Sequence, residues 1–334
     1  MSAVSIGDLA QSLMLQRQTG QAKSDLARLT EQVASGRVTD PAARSGGDHA
    51  PVAAVERSLT LLKSQRSHDA ETGQMLAQMQ RALSRAQEES VTVANAAFAA
   101  AASGQRDQLG LAAGQGRAAI EGVVSALNMS IGGRTLFSGA ATDTPALLPG
   151  EDLRALLMTR TAGETTADGV AAVLDDFFDP GGEFGDLVYQ GSEVSAGPFR
   201  LGAGETATHD ITAEDPAVRE TLKGLSMAVL AEDGAISGDR AEAAALAQRA
   251  GETLLSAQAA LAQTRGGLGD LESRLDAAVA RAEAEIGALE GARTDLIGVE
   301  PFEAATKLEA SRQQLEMMHV LTARLSRLSL TEFL

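Results

Sequence analysis

Residues 254–296 read LLSAQAALAQTRGGLGDLESRLDAAVARAEAEIGALEGARTDL, and the spacing of apolar residues in this stretch decides the fold class. A strict seven-residue step places leucine at every position but one, where alanine stands. Such a heptad repeat is typical of a coiled-coil seam. We expect the seam of a long helical rod to run through Leu254, Leu261, Leu268, Leu275, Leu289 and Leu296.

Glycines within this seam indicate that the helix depends on its neighbours. Each costs roughly 1 kcal/mol of helix stability relative to alanine, and no proline lies between Pro216 and Pro301 to end the helix. Packing in a bundle must therefore stabilise it. The glycines are Gly266, Gly267, Gly269, Gly287 and Gly291.

Composition and charge exclude several classes of protein. Of the 334 residues 44% are hydrophobic, but only 3% are aromatic, which is typical of helix seams rather than of a deep globular core. The net charge of −17 argues against nucleic acid and against an anionic membrane as partners. No cysteine is present, so disulfides and thiolate metal sites are excluded. Neither a membrane-spanning run nor a cleaved signal peptide is visible.

The two ends of the chain share one pattern. Each is amphipathic, nearly neutral in charge, and separated from the adjoining helix by a break rich in glycine and proline. We expect both ends to be mobile in an isolated chain and to become ordered against partner helices, because burial of one apolar stripe does not offset the backbone entropy of about 35 ordered residues. The predicted assembly interface is Ile6, Leu9, Leu13, Leu26, Leu29, Val33, Leu308, Leu315, Met318, Leu321, Leu325, Leu328 and Phe333.

The middle of the chain differs in composition from both halves. Between Leu136 and Asp215 lie fifteen acidic and three basic residues, together with six of the nine aromatic residues. This predicts an inserted acidic module with its own aromatic core. Short strands are expected near 187–189 and 199–201, and a short helix at 169–178.

These patterns together predict a mainly α fold. A long antiparallel coiled-coil or helical-bundle rod is formed by the N- and C-terminal halves, and a small mixed or mainly-β domain is inserted between them. The expected division is 1–40 for the N-terminal tail helix, 41–135 and 213–298 for the two halves of the rod, 136–212 for the outer domain, and 299–334 for the C-terminal tail helix.

Candidate chemical sites are weak. Gly114, Gly116 and Ala119 form a lone G-x-G-x-x-A inside a helical run without a preceding strand, so no nucleotide site is expected. The acidic residues 175–183 lack the spacing of a calcium loop, and the four histidines lack metal-ligand spacing. We expect no catalytic residue, no metal and no cofactor.

Several strings resemble the bacterial flagellin family, in particular the branch that joins the flagellar hook to the filament. Residues 26–61 are similar to the family's helix, serine-glycine break and turn-rich segment, and NMSIGGRTLFSGAATDTPAL at 128–147 to the start of its variable domain. Residues 266–278 and 293–334 look like its closing helices and tail. The resemblance covers nearly the whole chain.

The resemblance implies a structural subunit exported unfolded and polymerised outside the cell at the tip of the hook. It implies partners as well: a homo-oligomeric ring, an adjacent hook-associated protein, flagellin or a second junction protein on the filament side, and an export chaperone at the C-terminal helix. Filament flagellin is the nearest alternative. A cytoplasmic coiled-coil signalling or scaffold protein and an enzyme are alternatives from other classes.

Overall fold

The computed structural model describes residues 6–40, 48–201, 205–208 and 210–331, with no side chain described at residues 6–9, 11, 12, 199–201 and 325–331. Most of these residues are helical, so the prediction of a mainly α fold is confirmed. The helices are α1 (Ile6–Ser35), α2 (Ala50–Ser103), α3 (Arg106–Leu127), α4 (Gly150–Arg160), α5 (Ala167–Phe178), α6 (Glu183–Leu187), α7 (Pro216–Asp233), α8 (Arg240–Ile297) and α9 (Pro301–Thr331). The strands are β1 (Ser130–Ile131), β2 (Arg134–Thr135), β3 (Phe199–Leu201) and β4 (Glu205–Ala207).

The chain divides into two compact units, and helices α2 and α8 contribute residues to both. The tail unit comprises Met1–Ser64 and Ala282–Leu334, and the central unit comprises Gln65–Arg281. Each unit has a hydrophobic cluster of its own.

In the central unit, α2 and α8 run antiparallel. Gln80 and Arg265 exchange hydrogen bonds in which the Gln80 amide donates to the Arg265 carbonyl at 2.9 Å and the Arg265 Nε donates to the Gln80 Oε1 at 3.2 Å. Farther along the pair, Gly251 lies against the ring of Phe98. The structure buries four of the seam leucines here: Leu254, Leu261, Leu268 and Leu275.

The seam shifts its position in the part of α8 that belongs to the tail unit. Leu289 and Leu296 are only half-buried, whereas Ile286 and Ile297 are buried with 7% of their surface exposed. An α-helix with 3.6 residues per turn drifts by about 20° per heptad from a strict seven-residue step. The inward face has therefore moved to neighbouring positions after several heptads.

Helices α3 and α7 pack closely in the central unit, because glycine allows their backbones to approach. A Cβ at Gly116 of α3 would lie 2.9 Å from the Val229 Cγ2 of α7. The α7 helix begins at Pro216, whose fixed φ suits a first turn, and the Asp215 carboxylate accepts a hydrogen bond from the Ala217 amide at 2.9 Å.

The inserted module is mixed, with helices α4, α5 and α6 and a single hairpin, β3–β4, among its described residues. The predicted helix at 169–178 and the strand at 199–201 are both present. The strand expected at 187–189 is instead the end of α6 followed by an isolated bridge between Tyr189 and Leu147. Backbone hydrogen bonds from the Val188 and Tyr189 amides to the Phe184 carbonyl, at 3.0 and 2.9 Å, hold this segment as a single helical turn.

The aromatic residues of the module form a core that is continuous with the helices. The Phe178 ring lies 5.1 Å from that of Phe177 and 5.2 Å from that of Phe184. These rings belong to the same buried cluster as Leu222 of α7 and Leu254 of α8. The module therefore does not fold around a separate core, because α5 packs against α7.

The segments that precede and follow helices α4 to α6 of the module are joined to each other. We call these segments, residues 137–148 and 188–194, the clasp. Backbone hydrogen bonds join them: the Gln190 amide donates to the Ala146 carbonyl and the Ser192 amide to the Ser138 carbonyl, both at 2.9 Å. The hydroxyl of the buried Tyr189 donates to the Ser192 carbonyl at 3.0 Å.

Burial raises the pKa of the Tyr189 hydroxyl above its ordinary value, and a hydrogen bond with Thr212 opposes that rise only in part. A group whose pKa is raised on folding loses its contribution to stability as the pH rises through the folded pKa. We expect Tyr189→Phe to cost about 0.5–1.5 kcal/mol at neutral pH through the lost hydrogen bond. Above about pH 10 the hydroxyl ionises in the unfolded chain while burial keeps it protonated in the folded one, so the wild type loses stability relative to the variant and this difference should narrow. Melting temperatures of both proteins measured across that range test this, and a constant or widening gap would contradict it.

Candidate assembly interface

The two terminal helices pair within the tail unit. A backbone bridge links the C-terminal end of α1 to the N-terminal end of α9. Helix α1 stops at Gly36, which has a φ of 65°, and α9 starts after Gly298. Between these breaks, the Val38 amide donates to the Ile297 carbonyl at 2.8 Å and the Val299 amide to the Gly36 carbonyl at 3.1 Å. This antiparallel bridge places α1 alongside α9. Residues 41–47 of the predicted first break lie outside the described residues.

Part of the predicted interface faces inward between α1 and α9. On α1, Leu29 is buried with 7% of its surface exposed and Leu26 is half-buried. On α9, Met318 is buried with 8% exposed, and Leu308 and Leu315 are half-buried. These five residues are brought together inside one chain.

A second part of the predicted interface faces solvent. Leu13, Val33 and Leu321 have 49%, 42% and 51% of their surfaces exposed. The remaining predicted side chains, at Ile6, Leu9, Leu325, Leu328 and Phe333, lie outside the side chains that the structure describes. The predicted stripes therefore divide between an intramolecular contact and an uncovered surface.

The uncovered surface also includes apolar residues that the seven-residue spacing did not select. They are Met14, Phe302, Met317 and Val320, with exposures of 62%, 81%, 61% and 52%. A search for a second stripe at i, i+3 and i+4 could have found Met317 and Val320 beside the predicted Leu321.

We call Met317, Val320 and Leu321 the α9 ridge. Residues three and four apart lie side by side on a helix, so these side chains form one continuous apolar strip. Their spacing relative to Ala304, Leu315 and Met318 puts the strip on the side of α9 turned away from α1. The ridge can bury its side chains only against another helix or chain.

A polar groove runs between α1 and α9 on another side of the pair, with a volume of about 730 Å³. Opposite charges balance within each helix, since Arg28 pairs with Asp25 at 2.8 Å and Lys307 with Glu303 at 2.6 Å. Exposed ion pairs of this kind contribute little to stability. These ion pairs leave the groove polar and nearly neutral in net charge, so it does not repel the groove of a second copy of the chain electrostatically.

The acidic residues considered as a candidate calcium site form ion pairs with basic side chains. In the acidic segment, Asp175 pairs with Lys223 at 2.9 Å and Glu183 with Arg160 at 2.8 Å. Within the part of the chain that the structure describes, no group of three or more metal-binding side chains could hold an ion. Among the same residues, no helix combines the length and apolarity needed to cross a bilayer.

Comparison with known families finds a match for the C-terminal part of the chain. Residues 252–334 match the family described as bacterial flagellin C-terminal helical region. This segment includes α9 with its ridge and most of α8. The predicted resemblance to the flagellin family is confirmed for this part of the chain.

Comparison with solved structures extends the likeness to the fold. The chain matches a protein described as a flagellar hook-associated protein from Vibrio parahaemolyticus, with a TM-score of 0.51 and 12% sequence identity. The match covers 73% of this chain and 95% of that one. Curated protein sequences gave no match. The two findings together show a flagellin-type C-terminal helical region and a fold shared with that protein.

Proposed function

We propose that this chain is a subunit of the junction between the flagellar hook and the filament, and that it joins them by packing its terminal helices among those of neighbouring subunits. The observation that carries this proposal is the α9 ridge. Three side chains with more than half of their surface exposed lie on one face of a helix whose other face is already used. Burial of the exposed half of each is worth roughly 0.8–1.5 kcal/mol, which favours assembly over the isolated chain.

In this proposal the predicted interface residues form two contacts, one within each subunit and one between subunits. Leu26, Leu29, Leu308, Leu315 and Met318 hold α1 against α9, so that each subunit presents a helix pair. Outward-facing residues of that pair then contact further copies. We assign the tail roles to residues 1–40 and 299–334, the two halves of the rod to 41–135 and 213–298, and the outer role to 136–212.

The partners in this proposal are copies of the chain in a ring, a hook-associated protein on the hook side, and flagellin or a second junction protein on the filament side. An export chaperone that covers the C-terminal helix fits the same surface, because an uncovered apolar strip on α9 promotes association before assembly. The proposed location is outside the cell, at the hook–filament junction, after export without a cleaved signal peptide.

Filament flagellin is the second candidate, and the family match favours it. The matched region carries the flagellin name. Both candidates use the same helices in the same way, so they differ in position along the flagellum rather than in assembly chemistry.

Flagella from cells that lack this chain distinguish the two candidates. If it is a junction subunit, electron microscopy should show hooks without filaments while flagellin accumulates in the medium, and the restored gene should return the filaments. Filaments still attached to hooks would contradict the junction role. Loss of filaments without any flagellin in the medium would instead identify the chain as the filament subunit.

A further inference from the structure

Asp69 occupies a buried coiled-coil position on α2. It lies on a seven-residue step with Leu62, Leu76 and Leu83, and only 1% of its surface is exposed. Both oxygens of its carboxyl group are without a hydrogen-bond partner among the described residues. A buried polar group without a partner loses its hydrogen bonds to water and forms none in the protein, which destabilises the folded state.

The basic side chains nearby do not compensate this carboxyl group. Arg274 and Arg281 on α8 flank the buried Ala278 in sequence, but both bind Glu205 of β4, at 2.8 and 3.6 Å. The Arg274 guanidinium holds the pKa of the Glu205 carboxyl below its ordinary value. Arg66, one turn before Asp69, is exposed to solvent.

The position one turn beyond Asp69 on α2 carries no side chain. A methyl group would fit at this residue, Gly73, since a Cβ there would meet the Leu275 Cδ2 at the ordinary contact distance of 3.4 Å. Glycine within a helix lowers its stability, and the buried Ala278 offers little apolar surface. The continuous apolar seam of α2 is thus interrupted between Leu62 and Leu76.

We propose that the stretch of α2 from residue 65 to 73 is a built-in opening point of the α2–α8 coiled coil. The unpartnered carboxyl group of Asp69 and the helical glycine Gly73 both lower the free energy needed to open the helices there. The stretch opens locally while residues 79–97 of the same helix stay closed. This proposal does not depend on the assembly role of the terminal helices.

Hydrogen exchange of the full chain, followed by mass spectrometry, tests the proposal. Amides at 65–73 should exchange about ten- to a hundredfold faster than those at 79–97, the factor that corresponds to one unsatisfied buried polar group. Asp69→Leu should slow exchange at 65–73 by a similar factor, because an apolar side chain of comparable size removes the buried polar group. Equal protection of the two stretches in the wild type would overturn the proposal, as would unchanged exchange in Asp69→Leu.

Ser90→Ala is the matched control. Ser90 occupies the same heptad step and is fully buried, but its hydroxyl donates to the Ala86 carbonyl at 2.7 Å. Its replacement should leave exchange at 65–73 unchanged, and slower exchange there would count against a specific role for Asp69. If Asp69→Leu does not fold, Gly73→Ala provides the readout. That variant fills the available space and should slow exchange at 65–73, and failure to do so would refute the opening point.

Discussion

Replacing Met317, Val320 and Leu321 together with glutamate should abolish assembly of the chain while leaving its own fold intact. All three side chains are more than half exposed and none belongs to a buried cluster, so their replacement leaves the hydrophobic clusters of the chain intact. The exposed half of each would otherwise bury apolar surface worth roughly 0.8–1.5 kcal/mol. Losing the three contacts weakens each association by roughly 50- to 2,000-fold. Motility of complemented cells and electron microscopy of their hooks measure the effect.

The matched control adds the same charge to another face of α9. Ala305, His319 and Ala323 are exposed and lie in line with the charged residues Glu309 and Glu316. Their replacement with glutamate should preserve motility, because this face is already polar. Circular dichroism and melting temperature should match the wild type for both triple variants. Normal motility with the ridge variant would remove the ridge from the interface.

Gly139→Ala should destabilise the central unit by about 2–5 kcal/mol, the sum of a left-handed backbone penalty and local overpacking. Gly139 has a φ of 59°. An added Cβ would lie 2.7 Å from the Val194 carbonyl oxygen and closer still to that of Ser192. Both contacts are with backbone atoms of the clasp, which cannot rotate away as a side chain can. Thermal or urea unfolding measures the loss.

Gly132→Ala is the control that separates the backbone penalty from the overpacking. Gly132 has nearly the same φ, 58°, but nothing lies within 4 Å of the position of its Cβ. Only the backbone penalty of about 1–2 kcal/mol remains there. If the two variants lose the same stability, crowding at the clasp is not the cause.

The helices could be predicted from the sequence because periodic apolar residues and glycine or proline breaks are local signals. Leu254 to Leu275 fall on the buried seam, and the last two helices separate at Gly298 and Pro301 as the breaks indicate. A heptad pattern identifies which face of a helix is apolar, but it does not identify the partner. The pairing of α1 with α9 and the uncovered ridge beyond it therefore required the structure.

Other features depend on contacts between residues distant in sequence. The continuation of the module's aromatic core into α7 could not be predicted from composition. Composition shows that a region differs from the rest of the chain, but it does not identify the residues against which that region packs. Asp69 was visible as a gap in the apolar stripe between Leu62 and Leu76. That it is buried without a partner depends on α8, which lies some two hundred residues later.

The way in which the clasp joins the inserted module to the helices has a mechanical consequence. Four backbone hydrogen bonds tie the incoming chain to the outgoing one, from Ser138–Ser192 to Leu148–Val188. A pull on the module's helices acts on both clasp segments together and reaches α7 and α8 through the shared core. In the proposed assembly, in which the module has the outer role, viscous drag on it would be transmitted to the bundle as torque rather than lost in stretching a tether.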